Sequence, residues 1–348
     1  MTSKPLLTIA IPTYNRAPFL DQTLGQLHRE LLLLEDCYIE ILVSDNRSED
    51  HTQEILKKHG ASGLKMRVIK NRSNIGSDKN IAQCFNEAIG DYVLILGDDD
   101  LLVDGALRLL ILRLKEKRFG VVCMRSYGFD DDFKKEIPFS KSHDVVYNDA
   151  GKFLTKISPL MTLISGCVIH KSLLESVNAN EYCGENLVQV HLVLQAALHA
   201  QANLYMHRYM VAVKRNNSGG YDFTKVFVEN FGKILDRYVD HGLTQKSIEA
   251  IESRMIMSYF PLYLLKQRFD KTTNIQKVYE QFSQRYHARF IFYVYLYPIL
   301  KFPRALALLV GSLVLLIGRL MNGDLIRGLY FLKNKIISFL SFEMKNSS

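Results

Sequence analysis

The chain has 348 residues, 48% of them hydrophobic, enough to bury one large core plus an appendage. Its five cysteines, Cys37, Cys84, Cys123, Cys167 and Cys183, are scattered with no C-x-x-C pair, which argues against a zinc site and a disulfide framework. The net charge of +8 is unevenly placed: residues 285–348 carry nine Lys/Arg against two acids (+7), the other 284 carry 35 against 34, and the excess lies among aliphatic stretches without polar groove-reading segments, so nucleic acid is a poor explanation.

From the N-terminus, residues 6–11 read as an apolar strand ending in Pro12-Thr13-Tyr14-Asn15-Arg16, and residues 18–34 as a helix. Residues 38–43 are a second strand ending in Ser44-Asp45-Asn46; a helix to about residue 59 comes next, with a Ser or Asp of Ser48-Glu49-Asp50 as its N-cap. A third strand, 64–69, ends in Lys70-Asn71-Arg72, and residues 78–88 are helical. The fourth strand, 92–96, lies between Gly90 and Gly97 and runs into Asp98-Asp99-Asp100. A helix over 104–117 and a fifth strand over 120–124 complete the alternation, which predicts βαβ units on a parallel sheet. Ligands of such sheets bind outside the carboxyl ends of the strands, where Tyr14, Asn15, Arg16, Asp45, Asn71, Arg72 and the aspartates all fall. Three adjacent carboxylates are costly unless a cation sits between them. A hard divalent ion such as Mg²⁺, which takes one or two carboxylates and completes its shell with water and phosphates, is the natural partner.

Three stretches, Ile11-Pro12-Thr13-Tyr14-Asn15-Arg16, then Val43 to Thr52, then Asn74-Ile75-Gly76 to Asn80 leading to the triplet, resemble family 2 glycosyltransferases of the GT-A fold. The similarity is strong over residues 6 to about 110 and weaker to about 220. Within the family the likeness is to O-antigen sugar transferases of the abequosyltransferase type, through Ser165-Gly166 before a strand, Tyr182-x-Gly184, and Arg215-x-Asn217-x-x-Gly220-x-Asp222. The resemblance implies a mainly parallel α/β sheet and a nucleoside-diphosphate sugar donor. Pro12, Thr13, Tyr14, Asn15 and Arg16 would line the nucleotide-sugar site, Asp45 would accept a hydrogen bond from the base or its neighbouring edge, and Asp98 would hold the ribose or a water of the metal's outer coordination sphere. Asp99 and Asp100 would hold Mg²⁺ or Mn²⁺ on the diphosphate. Gly97 stands where the family's D-x-D often has its first acid, which favours Asp99 as principal ligand and leaves Asp98 and Asp100 interchangeable in support. Lys79 and Asn80, at the start of the third helix, are candidates for the diphosphate, as is Arg215 in a basic loop suited to a lid.

An inverting transfer needs a general base, which in the family commonly lies in an acidic pair opening a later helix. Here the pair is Glu185-Asn186 before an apolar helix over 187–200, with His191 inside it, and Glu185 and His191 are the catalytic candidates. A strand over 209–213 precedes the Arg215 loop. Residues 221–286 read as helices with a core stripe of Phe227, Phe231, Ile234, Leu235 and Tyr238. The expected organisation is a catalytic domain over 1–220, a helical extension over 221–286, and basic, apolar helices over 287–348. The uncharged run 305–318 is short for a membrane span, and its aromatic and basic flanks suit an in-plane anchor on an anionic leaflet. No apolar signal region precedes the first strand, so the expected place is the cytoplasmic face of the cell membrane, peripheral or monotopic, with a lipid-linked saccharide as acceptor. A nucleotidyltransferase would favour a Gly-rich phosphate loop after the first strand, which is not found. A non-catalytic membrane scaffold would bind nucleotide without turnover.

Overall fold

Strand β1 (Leu7–Thr13) is apolar on both faces and lies between two parallel neighbours, β2 (Ile39–Asp45) and β4 (Tyr92–Ile95), as expected of a strand covered on both sides. The computed structural model describes residues 4–34, 38–140, 143–215, 217, 220–269 and 274–322. These described residues fall into two compact units, one from those up to 137 and from 143 to 248, the other from 138–140 and those from 249 to 322.

The first unit is built on one sheet in which β3 (Arg67–Lys70) pairs with β2, β2 with β1 and β1 with β4. Past β4 come β8 (Cys167–His170), β6 (Val121–Phe129) and β9 (Asn203–Lys214), and two short strands, β5 (Leu101–Leu102) and β7 (Val145–Tyr147), pair with β9. Six strands run one way. The exceptions are β8, antiparallel to both neighbours, and β5 and β7, antiparallel to β9. The two short strands escape the sequence pattern because two or three residues carry no period, while the strand expected at 209–213 starts earlier, at Asn203.

Helices cover both faces. Leu7, Ile9 and Ile11 pack with α1 (Ala17–Leu32), α2 (Thr52–Ala61) and α4 (Ala106–Glu116); Ala10 and Leu42 pack on the opposite face against Cys84 of α3 (Ser77–Glu87). Beyond α5 (Ala150–Ile157), α6 (Val188–His199) is apolar nearly all round, and contacts β8 and α3. Then come α7 (Phe231–Arg237) and the start of α8 (Gln245–Ser258), and the predicted stripe Phe227, Phe231, Ile234, Leu235 and Tyr238 is buried.

Three polar residues on the buried face of α1 fix the segment after β4. Thr23 Oγ1 donates to the carbonyls of Asp98 and Asp100 at 2.9 and 3.3 Å, and Gln26 Nε2 donates to that of Leu102 at 2.9 Å. Glu30 accepts the amides of Gly105 and Leu107 at 2.8 and 3.0 Å, supplying the cap that Gly105 cannot give α4. A buried backbone without ladder partners needs such donors and acceptors. The aspartate segment is thus suspended from α1.

The second unit is helical, with the rest of α8, α9 (Phe260–Phe269), α10 (Ile275–Tyr286), α11 (Phe290–Tyr295), α12 (Tyr297–Lys301) and α13 (Arg304–Asn322). Its core includes Phe260 edge-on to Phe282 at 5.1 Å, with Glu252, buried on α8, ion-paired to Arg285 at 2.8 Å and to Arg289. Helix α13 turns Ala307, Gly311, Val314 and Gly318 inward and leaves Leu306, Leu309, Leu313, Leu316 and Leu320 exposed. Among the described residues no helix is long and apolar enough to cross a membrane. Residues 323–348 of the expected membrane-associating segment lie outside the described residues.

Candidate active site

The three aspartates leave β4 in different directions. Asp98 is buried and accepts from Thr13 Oγ1 at 2.8 Å, with Arg16 Nη1 at 3.4 Å. Asp100 is buried on the other side, accepting from Ser165 Oγ at 2.5 Å. Asp99, between them, keeps a side chain 14% exposed and accepts from Arg16 Nη2 at 3.0 Å and Asn217 Nδ2 at 2.7 Å. Gly97 makes this crowding possible: a Cβ there would stand 3.1 Å from Asp100 Oδ2, 3.3 Å from Asp99 Oδ1 and 3.4 Å from Ser165 Oγ. The same Ser165 hydroxyl accepts the Gly97 amide at 2.9 Å. A side chain at position 97 would require these neighbours to give by a few tenths of an ångström, so glycine suits the crowded turn.

Burial pushes the Asp98 carboxyl up to about 6, against the pull of Arg16 and Thr13. Burial, joined by the like charge of Asp99, pushes Asp100 up to about 7, against Ser165 and the Lys214 backbone. The folded state therefore holds a proton on Asp100 more tightly than the unfolded chain does. That contribution to stability is present at low pH and is lost as pH rises through 7. In metal-free protein, Asp100→Asn should raise the unfolding temperature at pH 8, on the order of a few kcal/mol at about 1.4 kcal/mol per pKa unit, and by less at pH 5. Equal shifts at both pH values in thermal unfolding would contradict this.

The β1 end supplies the facing wall. Pro12 pairs with Ser44 in the sheet, Tyr14 is 40% exposed, and Asn15, with φ +53°, donates its amide to Ser48 Oγ at 2.9 Å and accepts from the Glu49 amide at 2.8 Å. Arg16 ties the β1 end to two aspartates and to the Asn217 carbonyl at 2.9 Å. Asp45 is fully buried and accepts from the Ser48 amide at 2.9 Å and from Gln53 Nε2. Asp50, expected near the cap of α2, accepts from the Thr52 amide at 3.1 Å and from the Ala17 amide at 2.9 Å, with His51 at the cap position itself.

Other candidates are drawn elsewhere. Asn80 is 3% exposed and accepts from Ser44 Oγ at 2.7 Å while donating to the Ser44 carbonyl at 3.1 Å, so its need for a partner is met by β2. Lys79 is exposed on α3. Arg215 is not brought to the triplet by its contacts: its guanidinium pairs with Asp130 at 2.8 Å and Glu136 at 2.9 Å and reaches the Gly128 carbonyl. Asn217, two residues on, makes the contact with Asp99.

A second cluster joins the two catalytic candidates. His191 Nε2 lies 3.0 Å from Glu185 Oε2, and because a carboxylate only accepts, that nitrogen carries the hydrogen. The ring stacks on Tyr182 at 4.4 Å, and Nδ1 is 3.2 Å from Tyr238 Oη; burial lowers its pKa against the opposing pull of Glu185. Glu185 is also ion-paired to Arg237, and Asn230 Nδ2 donates to its carbonyl at 3.1 Å. Arg237 and Tyr238 reach Glu185 and His191 across about fifty residues, a pairing with no local sequence signal. A separate cleft of about 590 Å³ opens at the amino end of the strands, lined by Leu6, Asp91, Tyr92, Arg118 and His170. It is remote from the chemistry, since the triplet comes after β4 and Asp91 precedes it.

Residues 8–177 match the model of the family described as glycosyl transferase family 2. Abequosyltransferase RfbV of Salmonella typhimurium is 33% identical over 122 residues, covering 34% of this chain and 36% of its own. A Campylobacter jejuni protein named GalNAc(5)-diNAcBac-PP-undecaprenol beta-1,3-glucosyltransferase is 26% identical over 210 residues, 59% of this chain and 63% of its own. The chain thus spans less than two thirds of either of these curated relatives. The crystal structure of S. aureus TarS 1–349 in complex with UDP-GlcNAc superposes with a TM-score of 0.60 at 16% identity, covering 91% of this chain and 92% of that one, so the two share a fold. With the motif-bearing strand ends assembled on that fold, residues 8–177 are a glycosyl transferase family 2 domain.

Proposed function

We propose that the chain transfers a sugar from a nucleoside diphosphate to a saccharide carried on a lipid, with inversion and a divalent metal, in the synthesis of a cell-surface polysaccharide of the O-antigen kind. The observation that supports this most is the end of β4, where α1 holds the backbone carbonyls of Asp98 and Asp100 and Arg16 faces the carboxylates of Asp98 and Asp99. The names of the two curated relatives support sugar transfer, and that of the Campylobacter jejuni protein, which includes PP-undecaprenol, supports the acceptor class.

The donor set fits Mg²⁺ or Mn²⁺. Among the described residues no three His, Cys, Asp or Glu side chains are grouped to hold a metal ion, so a cation here would rest on Asp99, with Asp100 behind it, and on donor phosphates. The raised pKa values of Asp98 and Asp100 mark charge that such an ion would relieve. When bound, the metal supplies charge compensation for the departing diphosphate.

The chain's own residues supply the rest. Pro12, Thr13, Tyr14 and Asn15 shape the nucleotide-sugar side, with Asp45 set by Ser48 and Gln53. Asp98 stays beside Thr13, and Arg16, bridging Asp98 and Asp99, would supply positive charge on the phosphate side. The acceptor oxygen attacks the anomeric carbon as the bond from that carbon to diphosphate oxygen breaks, and its proton passes to Glu185, oriented by His191 and Arg237. Incubation with nucleoside-diphosphate sugars and lipid-linked acceptor should release nucleoside diphosphate in step with glycolipid. Donor binding without release would leave a scaffold.

The same reading places the protein on the cytoplasmic face of an anionic membrane through residues from about 287 onward. The exposed leucines of α13 recur at intervals of three and four residues, giving one apolar face beside basic Lys301 and Arg304. Replacing Leu309 and Leu313 together with serine should remove about 3 kcal/mol of apolar insertion, roughly a hundredfold in binding to anionic vesicles, without altering nucleotide binding. Undiminished co-sedimentation with vesicles would refute the anchor.

A further inference from the structure

Asp78 lies in the first turn of α3 and carries none of the roles that the motifs suggest. Its Oδ2 accepts two backbone amides from a distant turn, Gly184 at 2.7 Å and Asn186 at 2.9 Å. The residues donating these amides both have left-handed backbones, φ +110° and +57°. Amides converging in this way form a nest that suits one anion, and the asparagine holds a conformation that persists only where its surroundings over-determine it. Between the two amides stands Glu185.

The other side of α3 is fixed to the donor half. Asn46, directly after Asp45, donates to Asn74 Oδ1 at 2.8 Å and accepts the Ile75 amide at 2.9 Å; Asn80 is held on Ser44. A continuous set of hydrogen-bonded groups thus runs from the end of β2, through the start of α3, to the turn carrying Glu185. The side chain of Glu185 is set by His191 and Arg237, but nothing in those contacts fixes the height of its backbone, which the Asp78 nest does together with Asn230.

We propose that Asp78 is a positioning residue that holds the Gly184–Asn186 turn, and through it Glu185, in register with the donor-binding strand ends. The inference rests on the reading of Glu185 as the base. It requires that the effect of Asp78 on turnover pass through Glu185.

The test is a double-mutant cycle with kcat, KM and donor-nucleotide affinity measured on each full-length variant. Asp78→Ala should lower kcat at least tenfold with donor affinity unchanged. Asp78→Asn, whose carboxamide oxygen still accepts amides, should recover most of that loss. In a Glu185→Gln background Asp78→Ala should cost less than twofold more. Amide exchange at Gly184 and Asn186 should be slow in the parent chain and quicken in Asp78→Ala, and it reads the held turn without relying on activity. A kcat within twofold of the parent, or the full tenfold loss persisting on top of a slow Glu185→Gln, would overturn the positioning role. Unchanged exchange at both amides would overturn it as well. Glu185→Gln taken alone reports on the base: if it is nearly silent, the base reading fails, whereas a slow Glu185→Gln with an additive Asp78→Ala fails only this proposal.

Discussion

Replacing Asp99 with asparagine should lower transfer at least 10²-fold while leaving the protein folded. Of the three carboxylates Asp99 is the one that keeps contact with solvent, and it already faces the cationic Arg16 and the Asn217 amide. Asparagine keeps the shape and an acceptor oxygen but removes the charge that would hold a divalent ion against a departing diphosphate. A hundredfold loss corresponds to about 2.7 kcal/mol of barrier, the range seen when one electrostatic contact to developing charge is removed. The fold should tolerate the change because Arg16 retains Asp98 and the backbone of this segment is held by Thr23 and Gln26, not by Asp99. Steady-state rates on variant protein with an unshifted unfolding temperature are the check. Full activity, or parent activity that survives excess chelator, would remove the metal assignment.

Glu185→Gln should lower kcat by about 10²–10⁴ with little change in donor binding. The carboxylate is the base candidate of its cluster because His191 already donates to it and, with its pKa lowered by burial, stays neutral near pH 7. Glutamine would still meet one of those donors but could not accept the proton. Arg237 is more than half exposed, so losing its ion pair should cost little stability. A larger loss from His191→Ala than from Glu185→Gln would reverse the two roles.

Much of the site was readable because a parallel βαβ sheet delivers its strand ends to one edge, and residue order alone then places Thr13, Arg16, Asp45 and the aspartates together. The arrangement of Asp98 beside Thr13 and Arg16 follows from that rule. The unreadable part depends on pairing between distant segments. The antiparallel insertion of β8 between β4 and β6 brings Ser165 onto Asp100, although the local pattern near 165 shows only a turn before a strand. Arg215 in a basic loop suggested a diphosphate clamp, yet Asp130 and Glu136, some eighty residues earlier, take its guanidinium, and the uncharged Asn217 reaches Asp99 instead. Asn80, polar on a helix face marked by apolar residues, does have the partner that burial demands, but the partner is Ser44. Asp78 gave no signal, since an acid in a first helical turn is what the helix dipole alone would place there.

In the proposed mechanism the end of β4 holds a nucleoside diphosphate through a metal carried by Asp99. Thermal unfolding with UDP, CDP, GDP and dTDP, each with and without Mn²⁺, tests it most directly, since ligand that binds only the folded state adds about 2.7 kcal/mol at a hundredfold excess over Kd. At least one of these should raise the unfolding temperature by several degrees when Mn²⁺ is present, much less without it, and not at all in Asp99→Asn. A temperature unmoved by all four with metal present, or raised equally in the parent and in Asp99→Asn, would contradict it.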